Sequence, residues 1–60
     1  MISDAEIWAA ICNRRAAVLE LTGREESARE TVHEVAHAHD LDPERVRQVY
    51  RERIACMIGG

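Results

Sequence analysis

Apolar residues recur along this chain at intervals of three and four, and no stretch alternates at period two for more than a few residues. That spacing predicts helices and no strands, because a helix returns to the same face every 3.6 or so residues and a strand every second one. The first stripe is Ile7, Ala10, Ile11, Arg14, Val18 and Leu21, on one side of a helix over about residues 4–21. Ser3 is placed to cap this helix, with Glu6 three residues on to close a capping box. Thr22-Gly23 ends it, glycine suiting the left-handed closing position. A second stripe on the same helix, Trp8, Cys12 and Leu19, is rotated by about 100° from the first. It reads either as a widened core face, touching both later helices, or as a self-association surface.

Residues 24–30 are polar and dense in charge, either a loop or an early turn capped by Ser27 with Glu30. Thr31 with Glu34 offers a competing capping box, and the main second helix is expected over about residues 32–39. Asp40-Leu41-Asp42-Pro43 makes the next break. Asp42 is a good N-cap, Pro43 is tolerated at the first helical position, and Glu44 complements the helix dipole. The third helix is expected over about residues 43–57, with Val46, Val49, Tyr50, Ile54 and Met57 as its buried stripe. Gly59-Gly60 reads as a frayed end. The expected fold is all-α, a single small three-helix domain containing a helix-turn-helix.

At 60 residues the core must be modest, and a deep catalytic cleft is not expected. All eight basic residues are Arg, against eleven acidic ones, so the net charge is −3. That balance argues against a generally basic nucleic-acid binder and makes the placement of the arginines decisive. Cys12 and Cys56 stand far apart without a CxxC spacing, and two buried, reduced thiols are expected. No signal peptide is apparent and no segment approaches the ~20 apolar residues of a membrane span, so a cytoplasmic protein without membrane contact is expected.

His33-Glu34-Val35-Ala36-His37 has the HExxH spacing, in which two His one turn apart bind zinc and the Glu activates water. A zinc hydrolase also needs a third ligand and a cleft. His39 lies about 120° round the helix from His33, badly placed to complete the set. No enzyme, cofactor or functional metal site is therefore expected; an HExxH zinc hydrolase is the remote alternative, and the His33/His37 pair reads rather as an adventitious metal binder.

The same stretch carries a different pattern. Val35, Ala36, Leu41, Val46 and Val49 have the apolar spacing of two short helices meeting round a tight turn, with Ala36 as the small residue at the crossing. On the opposite side of the third helix, Glu44, Arg47, Gln48 and Arg51 project together. Arg and Gln suit bidentate contact with guanine and adenine edges, and Glu can accept from cytosine. Arg45 and Arg53 lie to the sides, where phosphate contacts are natural.

Across these residues the chain resembles, without gaps over residues 31–49, the helix-turn-helix of the promoter-reading fourth region of bacterial sigma factors. Glu44-Arg45-Val46-Arg47-Gln48-Val49 is the closest part, and Thr31-x-x-Glu34-Val35-Ala36 is similar to that family's first motif helix. Residues 15–23 look like the helix preceding it there. The resemblance implies a major-groove helix reading with Glu44, Arg45, Arg47 and Gln48. Pro43 departs from it where a DNA-contacting basic residue is common, as do His39 at a usually apolar position and Asp40 at one often Gly. The expectation is a stand-alone bacterial or phage regulator of transcription that binds double-stranded DNA, as a homodimer or with a partner. The rival expectation is a sigma-like module that binds RNA polymerase or a regulator.

Overall fold

The structure, a computed structural model, describes residues 2–59. Three helices, α1 (Asp4–Thr22), α2 (Ala28–Ala38) and α3 (Pro43–Gly59), pack pairwise, and among the described residues there is no strand. The fold is all-α. Gly59 is the last residue of α3, and Gly60 lies outside the described residues.

Each helix start is set by local chemistry. The Ser3 hydroxyl accepts from the Glu6 N–H at 3.2 Å and the Glu6 carboxylate accepts from the Ser3 N–H at 3.5 Å, the reciprocal capping box. Gly23 closes α1 with φ 72°, its N–H donating to the Leu19 carbonyl at 2.8 Å. Asp42 caps α3, its carboxylate accepting from the Glu44 N–H at 3.0 Å.

α2 starts four residues before the expected Val32. Ser27 is its cap, accepting from the Glu30 N–H at 3.2 Å, and Thr31 lies inside the helix. The reason is tertiary: Thr31 is fully buried, with Glu26 Oε1 at 3.0 Å and the Ser27 carbonyl at 3.1 Å as acceptors for its hydroxyl. A buried hydroxyl needs such partners, and beginning α2 at Ala28 turns Thr31 toward them.

The core is Ile7 and Ile11 from α1, Val32, Val35 and Ala36 from α2, and Val46 and Val49 from α3. Trp8, Ala10, Leu41 and Tyr50 border it, and Trp8 meets Tyr50 edge-on at 6.2 Å between ring centres. Several apolar expectations are corrected. Leu21 is 85% exposed and Met57 64% exposed, so neither belongs to the core, while Val18 and Ile54 are half-buried. Both cysteines are free and exposed rather than buried. The second α1 stripe divides: Trp8 joins the core rim, while Cys12 and Leu19 stay exposed.

Candidate nucleic-acid interface

The turn between α2 and α3 is closed by two backbone bonds. Leu41 N–H donates to the Ala36 carbonyl at 2.8 Å and Asp40 N–H to the His37 carbonyl at 3.4 Å, with Asp40 left-handed at φ 51°. These are the bonds of a Schellman closure, in which the residue after the left-handed position packs back on the last turn. Leu41 does so, half-buried against the core. Asp40 thus takes the conformation for which glycine is usual. α3 is fixed relative to α2 by this turn and by the Val35, Ala36, Val46 and Val49 contacts of the core.

With Val46 and Val49 turned inward, Glu44, Arg47, Gln48 and Arg51 are exposed on the outer face of α3. Together with Asp42, Arg45 and Glu52 they line one shallow depression. Several of these side chains are engaged with neighbours. Arg47 pairs with Glu44 at 3.1 Å, and the Gln48 amide donates to Glu52 at 3.1 Å. Both are exposed helix-surface contacts worth only a few tenths of a kcal/mol, roughly. A ligand can replace them at small cost.

Arg45 differs. Its guanidinium donates to the Ile2 carbonyl at 2.7 Å and lies 3.3 Å from Asp4, and it is half-buried. The structure makes it a strut between the starts of α3 and α1, a role its sequence position did not suggest. Arg53 is exposed on the later part of α3, and neither Arg51 nor Arg53 forms an ion pair among the described residues.

A second depression lies between α2 and α3, lined by Ala28, Arg29 and Val32 from α2 and Arg47, Tyr50 and Arg51 from α3. Arg29 was not among the residues expected from sequence. The signal that could have found it is the Ser27/Glu30 cap, which puts Arg29 in the first turn of α2, one turn before buried Val32.

Beneath these surfaces, Arg14 and Glu26 hold the α1–α2 connection. Arg14 Nε donates to Glu26 Oε1 at 3.0 Å and its Nη2 to Oε2 at 2.6 Å, a two-pronged fork. The Glu26 side chain is 5% exposed. The hydrogen bond from Arg14 holds its carboxyl below the usual carboxylate range against the opposing effect of burial, with the Thr31 hydroxyl adding to the depression. Tyr50 is anchored similarly, its hydroxyl accepting from Arg15 at 2.7 Å.

His33, Glu34 and His37 are all exposed on α2. Among the described residues no group of three or more His, Cys, Asp or Glu side chains is placed to hold a metal ion. No described helix is long and apolar enough to cross a membrane. No protein-family model, curated protein or solved structure matches the chain.

Proposed function

We propose that this chain is a non-catalytic, sequence-specific DNA-binding module acting on transcription, with α3 seated in the major groove. The observation that carries the reading is the outer face of α3. Glu44, Arg47, Gln48 and Arg51 stand exposed together on a helix whose opposite side is locked to α2 by the Leu41–Ala36 closure and the valine contacts. These are side chains that match base edges, and a helix fixed from behind presents them in one register. Arg53 supplies phosphate contacts beside this face, while Arg45, held by the Ile2 carbonyl and Asp4, also positions α3.

With a net charge of −3, one copy neutralises few phosphates, and phosphate contacts supply most of the affinity. The module therefore acts as a dimer or beside a protein partner. Exposed Leu19, Met57 and Ile58 favour a second reading in which protein contact is the main task, RNA polymerase or a regulator being the partner.

Fluorescence anisotropy with labelled mixed-sequence duplex, from low to physiological salt, tests the first reading. Arg47→Glu, Arg51→Glu is expected to abolish a salt-sensitive binding shown by the wild type, with an unchanged helical circular dichroism spectrum. A folded wild-type protein that binds no duplex even at low salt would favour the protein-interaction reading instead.

A further inference from the structure

We infer that the groove between α2 and α3 is a seat for a DNA backbone phosphate, with Arg29, Arg47 and Arg51 as its donors. The inference rests on the DNA-binding reading above and deepens it by assigning the side of the helix on which the strand lies.

Charge distinguishes this groove. Its six lining residues include three arginines and no carboxylate, in a chain where acidic residues outnumber basic ones. The neighbouring depression on the outer face of α3 sets Asp42, Glu44 and Glu52 against its own three arginines. An anion entering the α2–α3 groove therefore meets three guanidinium groups and no lining carboxylate, Arg47 exchanging its exposed pair with Glu44 for the anion. Guanidinium groups suit it, since their planar forks match the paired oxygens of a phosphate and are always charged.

The groove is also firm. Its lining includes Val32, 6% exposed, and the half-buried Tyr50, whose ring Trp8 abuts and whose hydroxyl accepts from Arg15. Arg29 is exposed and forms no ion pair among the described residues, so its guanidinium need not leave a partner to bind. The first turn of α2, capped at Ser27, adds the positive end of the helix dipole near Ala28 and Arg29.

Arg47 and Arg51 line both depressions, forming the ridge between the outer face of α3 and the groove. A strand whose bases meet Glu44 and Gln48 would thus carry its backbone over that ridge to Arg29. Arg29 contributes affinity without base preference, because phosphate contacts carry no sequence information directly.

The test is the salt dependence of duplex binding for the full chain, its Arg29→Gln and Arg29→Lys variants, and the Arg47→Glu, Arg51→Glu variant. Arg29→Gln is expected to keep the wild-type thermal midpoint and to weaken binding to every duplex by the same factor, about fivefold at about 0.15 M salt. Its log K against log salt slope should be shallower by about 0.9, and Arg29→Lys should restore most of it. An Arg29→Gln slope and affinity equal to wild type, while the α3 double variant loses binding, would overturn the phosphate seat and leave the reading helix standing. Retained binding in every variant, or none by the wild type, would overturn both. A parallel titration replaces chloride with inorganic phosphate at equal ionic strength. Displacement of duplex by phosphate beyond that by chloride, lost in Arg29→Gln, is expected because the anion and the strand phosphate compete for one seat; equal displacement in wild type and Arg29→Gln would overturn the seat.

Discussion

Glu26 shows how a single residue can organise a chain of this size. It receives both prongs of the Arg14 guanidinium and is an acceptor for the Thr31 hydroxyl, so one carboxylate joins α1, the connection and α2. Because its folded carboxyl is held below the unfolded value, it adds stability above about pH 4.3, and that stability disappears as pH falls through the folded value. Glu26→Gln is therefore expected to melt at a lower temperature than wild type at neutral pH and to converge on it at acid pH, below the folded carboxyl's value. Thermal melts at the two pH values check this. A gap of equal size at both would mean that the carboxylate's charge contributes nothing. Arg14 itself lies on the apolar stripe read from the sequence, but nothing in the local pattern paired it with a residue twelve positions on.

Helices are where sequence and structure agree most closely, and where they part the reasons are physical. Ser3 with Glu6, Gly23, and Asp42-Pro43 all act through neighbours within a few residues, so the matching boundaries were legible. The start of α2 was not, because Ser27 and Thr31 compete as caps and the contest is decided by the burial of Thr31 against Glu26. Leu21 and Met57 fit their helical stripes yet stand exposed for another reason. Periodicity specifies a face, but not how far along it a partner reaches. α1 has 19 residues and α2 has 11, roughly 28 and 16 Å at 1.5 Å per residue, so the longer helix outruns its cover. The turn after α2 offers a direct check. An L-residue in left-handed geometry costs roughly 1–2 kcal/mol, and a negative charge at a helix C-terminus roughly 0.3–1 kcal/mol. The greater unfolded freedom of glycine offsets up to about 1 kcal/mol of this. Asp40→Gly is thus expected to stabilise by about 1 kcal/mol, raising the thermal midpoint by about 4–8 °C. An unchanged or lowered midpoint would show that Asp40 is not strained.

The whole molecule presents two unlike regions. One side of α3 gathers Arg47, Gln48 and Arg51, with Arg29 of α2 next to them, and was largely legible from helical spacing, Arg29 excepted. Elsewhere, on the later parts of α1 and α3, Leu19 (48% exposed), Met57 and Ile58 (82% exposed) face solvent. On the proposed DNA-binding reading, a net charge of −3 and a few arginines make binding twice the larger gain. The proposed dimer therefore predicts cooperative binding to duplexes carrying two half-sites about one helical turn apart, and weak binding to a single half-site. Leu19→Glu, at an exposed position that leaves the core untouched, is expected to remove the cooperativity while sparing the single half-site affinity. Analytical ultracentrifugation of protein–duplex mixtures reads both the stoichiometry and its loss. A wild-type protein that stays single on every duplex spacing would sink the dimer and favour the alternative in which exposed apolar residues such as Leu19 meet a different protein.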